Sequence, residues 1–269
     1  MNQKDFRLRI DSTNCTSMIA GTAFLGKDKF EDTWWYRSLE FESGKIYALI
    51  SEYGQGCRYL SYLLGGRVDF EDLKVYLNEN EVLPKDLSLI SWNLEASGEK
   101  YGRSTARKEI EQALSQNNSK ESLEDIQQKF LLTKERLDVK LSWLSGERWR
   151  ASAALGYAKG KKIFFSPYET SAFYNRMCGS CLIKALRELT TSGAIVFLAA
   201  GSDYFVKHIV DECVYLDKEF DIDGLKKCIK NYFIMRIGFI KRNSDSLITE
   251  KGMTIVPYLF FVNIGRTSG

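Results

Sequence analysis

The sequence has one histidine, almost no net charge and no apolar run of membrane-spanning length, and each shortage removes a class of function. Lys and Arg number 38 against 35 Asp and Glu, a net charge of +3, and no basic block of nucleic-acid-binding density occurs. An electrostatic footprint for DNA or RNA is therefore missing. The longest apolar stretches, Ala194 to Ala200 and Tyr258 to Val262, fall well short of the roughly 20 residues that span a bilayer. Any membrane role is then peripheral, through partners. The start, Met1 to Phe6, has no apolar signal-peptide core, so a cytoplasmic location is the expectation for the protein. Its six cysteines are accordingly expected as free thiols. One Cys-x-x-C is present, Cys178-Gly179-Ser180-Cys181, and could read as a redox pair or half a zinc site. With no second pair, His208 as the only histidine and a helical run around it, the pair reads as packing. There is neither an internal repeat nor a long low-complexity linker.

What is present is a chain of 269 residues, 44% hydrophobic, enough to bury a core in one large domain or in one domain with a smaller subdomain. Strand-like and helical runs alternate, the pattern of an α/β layer architecture. Strands are expected at Phe6 to Ile10, Met18 to Leu25, Lys45 to Ser51, Leu73 to Leu77, Leu87 to Trp92, Lys162 to Ser166, Ala194 to Ala199 and Cys213 to Leu216. From Ser104 to Leu141 the composition turns charged and Gly-free with helical periodicity, in two runs, Arg107 to Leu114 and Glu121 to Phe130. This reads as an inserted helical subdomain at about 98–148. Beyond Glu219 a helix from Asp223 to Tyr232 and β-prone segments, Phe233 to Lys241 and Met253 to Val262, read as an extension over 220–269 following a main domain over 1–219.

Two regions carry chemistry. In the first, the apolar strand Lys45 to Ser51 runs into Glu52-Tyr53-Gly54-Gln55-Gly56-Cys57-Arg58-Tyr59 and then a helical stretch. A strand, a Gly-rich turn and a helix make the geometry of a phosphate loop, whose backbone N–H groups cradle phosphates. Far downstream come Leu144-Ser145-Gly146-Glu147-Arg148-Trp149-Arg150 and Lys162-Ile163-Phe164-Phe165-Ser166-Pro167-Tyr168-Glu169-Thr170-Ser171-Ala172. They resemble the signature L-S-G-G-E-R-Q-R of ABC transporter ATPases and the family's Walker B segment ending D-E-P-T-S-A-L-D, without a gap from Gly146 to Ala172. The resemblance covers roughly residues 6 to 219. It implies an α/β fold with a RecA-like mixed sheet, an antiparallel β subdomain and an inserted helical subdomain. ATP and magnesium are the ligands it implies.

Against that pattern the polar positions are altered. Cys57 stands at the phosphate-loop Lys and Arg58 at the metal-binding Ser or Thr. Since unit charges about 4 Å apart interact by about 4 kcal/mol at an effective dielectric near 20, losing the Lys weakens nucleotide binding unless Arg58 substitutes. Pro167 and Tyr168 stand at the Walker B Asp and Glu, where a carboxylate is needed for metal clamping and general-base work. A one-residue slip would bring Glu169 to the site at the expense of the gapless match. Gly201 falls near the switch histidine, and His208 lies on a later helix away from it. Asn93 falls at the water-sensing Gln. The signature keeps Leu144, Ser145, Gly146 and Glu147, and a Ser and Gly at a helix N-terminus suit the γ-phosphate of a nucleotide held by another subunit. Equally, Ser145 reads as a plain cap of a helix starting at Gly146.

The resemblance thus implies a catalytically degenerate subunit. Its partners would be an active ABC ATPase subunit in a heterodimer, or a second copy in a homodimer, and transmembrane permease subunits. The alternatives are an ATPase still working through Arg58 and Glu169, and a regulatory interaction protein on the same fold.

Overall fold

A computed structural model describes residues 6–11, 19–25, 28–34, 38–52, 56–68, 73–177 and 179–216. The chain opens with β1 (Arg7–Asp11), β2 (Ile19–Leu25), β3 (Asp28–Trp34), β4 (Leu39–Glu42) and β5 (Ile46–Ile50), followed by α1 (Cys57–Leu64), β6 (Lys74–Leu77) and β7 (Asn80–Val82). Next come α2 (Pro84–Ile90), β8 (Ser91–Asn93), α3 (Ala106–Gln116) and α4 (Leu123–Lys129), then 3₁₀ turns at Lys134–Asp138 and Leu141–Trp143. The remainder is α5 (Arg148–Ala158), β9 (Ile163–Phe165), α6 (Ser171–Met177), α7 (Ser180–Thr191), β10 (Ile195–Ala200), a 3₁₀ turn at Val206–His208 and β11 (Glu212–Tyr215).

The central sheet has the strand order β11-β5-β10-β9-β8, and every neighbouring pair is parallel. Its inner strands β5, β10 and β9 are short continuous apolar runs because both faces are covered. Period-two alternation divides each strand between two cores. Ala48, Phe164, Val196 and Leu198 face the α3, α4, α5 and α7 side, while Tyr47, Leu49, Phe165 and Phe197 face α1 and a second sheet. That second sheet, β4-β1-β6-β7, is antiparallel throughout. It buries Leu8, Ile10, Phe41 and Val75 against the parallel sheet. Phe41 meets both Tyr47 and Phe197 edge-on, with ring centroids 5.0 and 4.8 Å apart, the arrangement that aligns aromatic quadrupoles. β2 and β3 form an antiparallel ladder of their own.

Three sequence expectations change. The strand expected over Leu87 to Trp92 is mostly helix: Pro84 sits in the first turn of α2, and the Asp86 carboxylate accepts the Leu83 N–H at 2.9 Å. Both are helix-start signals that outweigh the apolar Leu87 to Ile90, and only Ser91–Asn93 joins the sheet. The helical run around Cys178 and Cys181 is broken. α6 ends at Met177, Gly179 precedes α7, and Cys181 is an exposed free thiol outside the packed core. Cys178, and the helix and strands expected over Asp223 to Val262, lie outside the described residues. The helix expected around His208 is a single 3₁₀ turn in which the residue is exposed.

Among the described residues no helix is long and apolar enough to cross a membrane.

Candidate functional site

The Gly-rich turn joins β5 to α1 at the C-terminal end of the parallel sheet. Gly54 and Gln55 lie outside the described residues. Gly56 stands at the N-cap of α1 with φ 105°, a left-handed conformation that suits glycine alone. The two described ends of the turn are tied to each other and to β10. The Ser51 hydroxyl accepts the Cys57 N–H at 3.1 Å, and the Ser51 N–H donates to the Ala200 carbonyl at 3.3 Å. The Cys57 thiol is 1% exposed and points at the carbonyls of Ser51 and Ala200, 3.8 and 3.9 Å away. A helix N-terminus offers its unpaired N–H groups to anions, and here the first of them is taken by a side chain of the same turn. Arg58 is half-buried, while Tyr59 and Tyr62 are buried on the same helix.

Opposite the turn, the strand ladder between β9 and β10 changes register. Phe165 pairs with Phe197, so an unbroken ladder would set Tyr168 against Ala200, yet the residue bridged to Ala200 is Glu169. The Glu169 N–H donates to the Ala199 carbonyl at 3.0 Å, and the Gly201 N–H donates to the Glu169 carbonyl at 3.3 Å. One residue is inserted between Ser166 and Glu169, a bulge of the kind that re-aims side chains at sheet ends.

Its cause is local. The Ser166 carbonyl turns away to accept the Ser61 hydroxyl at 2.6 Å, and the Ser166 hydroxyl takes over the ladder by accepting the Ala199 N–H at 3.0 Å. The following residue, Pro167, has no N–H to give. Tyr174 closes the arrangement, its hydroxyl donating to the Ala199 carbonyl at 2.9 Å and lying 3.0 Å from the Ser166 hydroxyl. Tyr168 packs towards the α1 side with its hydroxyl over Gly201, 2.4 Å from where a β-carbon there would sit.

The slip leaves Glu169 as the one carboxylate of the Walker-B-like segment. Burial pushes its carboxyl up to about 7, the negative charge of Glu95 adds to this, and Arg148 and Arg176 act the other way. Its side-chain carboxylate, unlike its backbone, has no hydrogen-bond or ion-pair partner among the described residues. Burial likewise pushes the Tyr62 phenol up to about 12, against the charge of Arg58 and a hydrogen bond with Asn93.

Asn93 is fully buried, and its polar groups are all engaged within the chain. Its N–H donates to Glu99 Oε1 at 2.7 Å, its side-chain amide to the Ser97 carbonyl at 3.1 Å, and its Oδ1 accepts the Glu95 N–H at 2.9 Å.

The signature-like segment is arranged differently from the cap expected for it. α5 begins at Arg148, with Glu147 at its N-cap and no side-chain capping bond. Ser145 is exposed and its hydroxyl accepts from Arg136 Nη2 at 3.1 Å, while Gly146 faces open space. Leu144 is buried beneath them at 1% exposure. Glu147 is buried too, accepting the Thr133 hydroxyl at 2.5 Å and Arg150 Nη2 at 3.0 Å. The segment therefore hangs from buried anchors on either side of two exposed residues. Arg148 reaches back to Glu95 at 2.6 Å, which brings α5 to the same cluster as Glu169. None of this contact was legible from motif spacing, because Glu95 and Arg148 lie 53 positions apart.

For magnesium the positions that the resemblance implies do not fit: Arg58 is a cation and Pro167 has no side-chain donor. Among the described residues no group of three His, Cys, Asp or Glu side chains could hold a metal ion.

A parallel sheet ending in a Gly turn and helix, an antiparallel sheet packed on one face and a helical insertion on the other make the fold of an ABC ATP-binding cassette. Solved structures agree. The chain superposes on cbiO1 from Clostridium perfringens, part of the ABC transporter complex cbiONQ, with a TM-score of 0.59 at 14% identity, covering 89% of this chain and 100% of that one. An ATP-binding cassette of an ABC transporter in its ADP conformation gives 0.52 at 12% identity, over 78% and 87% of the two chains. An ATP-binding subunit of an ABC transporter gives 0.54 at 14%, over 78% and 85%. At these identities the likeness is one of fold. Neither a protein-family model nor a curated protein sequence matches the chain.

Proposed function

We propose that this chain is a cassette subunit of an ABC transporter whose own phosphate site is catalytically degenerate and whose signature segment serves an active ATPase subunit paired with it. The observation that carries the reading is the bond between Ser51 and the first amide of α1, beside a buried Cys57. The residue at the Lys position is a buried thiol, and the Cys57 amide at the helix start is satisfied by Ser51. The exposed pair Ser145 and Gly146 is the complementary half, presented to a neighbour. A heterodimer follows more readily than a homodimer, since two copies would combine two altered sites. The helical segment at about 98–148 would carry the partner's cycle to transmembrane permease subunits at the inner face of the membrane. In the same proposal residues 1–219 form the cassette and 220–269 an extension. The test is a reconstituted pair carrying Ser145→Arg in this chain. ATPase activity is expected to be abolished, and full retention sinks the reading.

A second reading has one specific observation behind it. The ladder slip puts Glu169, an acid with its proton held to about pH 7, opposite Ala200. In that reading the chain binds ATP through Arg58 and hydrolyses it with Glu169. Magnesium-dependent binding and turnover by the purified chain, lost in Glu169→Gln, would establish it, and absence of both would exclude it.

A further inference from the structure

At the N-terminal ends of β9 and β10, the end of the parallel sheet away from the Gly-rich turn, a cleft of about 470 Å³ opens between the α3–α4 turn, the α5–β9 turn and the last turn of α7. Three helix C-termini meet there, and exposed carbonyls at such ends draw cations. Each helix is closed by its own backbone instead. The Ser119 N–H donates to the Leu114 carbonyl at 2.9 Å, the Lys161 N–H to Gly156 at 3.0 Å and the Ala194 N–H to Leu189 at 3.0 Å, one closing bond per helix. The Asn117 side-chain amide adds bonds to the Ala113 and Ala158 carbonyls at 3.1 and 2.8 Å. The lysines around the cleft are therefore not spent on helix ends. Lys120 and Lys162 are exposed, and their ammonium groups have no hydrogen-bond or ion-pair partner among the described residues. Lys161 gives one N–H to the Leu89 carbonyl at 2.6 Å. Burial pushes its ammonium below the ordinary lysine value, Glu99 opposes this, and the positive charges of Arg67 and Lys159 add to it. Glu121, the one carboxylate among the described lining residues, is already taken by the Lys129 ammonium and by the Tyr157 hydroxyl, the latter at 2.8 Å.

We propose that this cleft binds a small, multiply charged anion, a phosphate or polycarboxylate compound, held by Lys120 of the helical insertion and Lys162 of the core. Its volume lies in the range of small-ligand sites. Charge selects the sign: three lysines line a cleft whose carboxylate is already neutralised, so an anion gains attraction without breaking an internal ion pair. A cation would meet the same three charges and find the helix carbonyls occupied. Lysine is a point-charge donor that takes phosphate and carboxylate alike, and the described lining has no Arg fork to prefer one of them. The Ser119 hydroxyl, which accepts the Glu121 N–H at 3.1 Å, keeps its own proton to donate. Because Lys120 and Lys162 stand on different parts of the chain, a bound anion ties the insertion to the core from the end of the sheet opposite the Gly-rich turn. The proposal stands on this cleft alone and does not rest on the function proposed above.

The test is residue-resolved acylation of lysines on the full chain at about 0.15 M salt, where attraction between exposed charges more than about 8 Å apart is largely screened. Pyrophosphate and citrate are the probes, titrated separately and read by peptide mass spectrometry. At least one of them is expected to protect Lys120 and Lys162 about 3-fold or more, saturating with half-protection below about 1 mM. The exposed Lys108 and Lys207, outside the cleft, should stay reactive. Which probe protects tells phosphate from carboxylate as the source of the charge. In Lys162→Gln the half-protecting concentration at Lys120 should rise at least about 5-fold, and in Lys162→Arg, which keeps the charge, it should stay within about 2-fold of wild type. Reading one lysine while the other is changed separates this cleft from any anion held at the Gly-rich turn. Absence of saturable protection below about 10 mM with either probe, equal protection of Lys108 and Lys207, or an unchanged half-protecting concentration at Lys120 in Lys162→Gln would overturn the proposal.

Discussion

Replacing Glu169 with Gln should stabilise this protein, and more so the higher the pH. The folded chain holds the Glu169 proton to about pH 7, against an ordinary value of 4.5. The folded state therefore binds more protons than the unfolded one across that window, and stability falls as pH rises through it. Below 4.5 both states carry the neutral acid and the substitution is close to neutral. Above 7 the folded state carries a half-buried carboxylate with Glu95 nearby, at its full cost. A rise from 4.5 to about 7 corresponds to about 3 kcal/mol at 1.36 kcal/mol per pH unit. Glu169 is only half-buried, and solvent screening brings the expected gain to about 1–2 kcal/mol at pH 8.5. Urea denaturation of both proteins from about pH 4 to 9 reads it directly. The midpoints should nearly coincide at about pH 4, below the ordinary value of 4.5, and separate progressively towards about pH 7, with the variant higher. A separation that is constant with pH, or that closes as pH rises, would refute the burial argument for Glu169.

Three further outcomes follow from other parts of the molecule. A β-carbon at Gly156 would lie 2.6 Å from Trp92 Cγ and 2.7 Å from Phe164 Cε1, so Gly156→Ala should cost about 1–3 kcal/mol in thermal unfolding through overpacking beneath the sheet. In the native chain a thiol-alkylating reagent should label Cys181, which is exposed, and spare Cys57, which is 1% exposed, with both labelled once urea unfolds it; peptide mass spectrometry separates the two. Ser122→Ala removes the hydroxyl that accepts the Asp125 N–H at 3.1 Å at the start of α4, and should cost about 1 kcal/mol by the same urea measurement.

The fold was legible where hydrophobic patterning coincided with local start and stop signals. β5 and β10 are short apolar runs with both faces buried, and both were readable to within a residue. α2 was misread because Leu87, Leu89 and Ile90 supply a strand-like run although only Leu87 is buried. The decisive signals were Pro84 and Asp86, three and one positions upstream of Leu87. β3 gave no signal at all: Asp28 to Trp34 contains two apolar residues in seven, and the strand is defined by its ladder with β2. Patterning reports apolar periodicity, and a run with so few apolar residues leaves no such trace.

The site was legible in its sequence positions and hidden in its register. A gapless match from Gly146 to Ala172 counts residues, whereas a parallel ladder counts hydrogen bonds, and the two counts part at Ser166. There a hydroxyl accepts the N–H that the ladder would give to its own carbonyl, and that carbonyl is drawn aside by Ser61. Neither bond can be read from residue spacing, because Ser61 and Ser166 are 105 positions apart. The consequence is that Tyr168, aligned with a catalytic acid, packs over Gly201, and Glu169, aligned with a proline, takes the place beside Ala200. An unbroken ladder would have left the segment with no acid in register. The bulge is thus the feature on which the degenerate and the active readings of this chain divide, and Ser166→Ala probes it. Without the hydroxyl the Ala199 N–H must find the backbone carbonyl again, the register should revert to Tyr168 opposite Ala200, and Glu169 should lose its raised pKa. Carboxyl titration by NMR of the Glu169 side chain in wild type and Ser166→Ala would show this, and an unchanged midpoint near 7 would mean that the slip is held by Pro167 and Tyr174 instead.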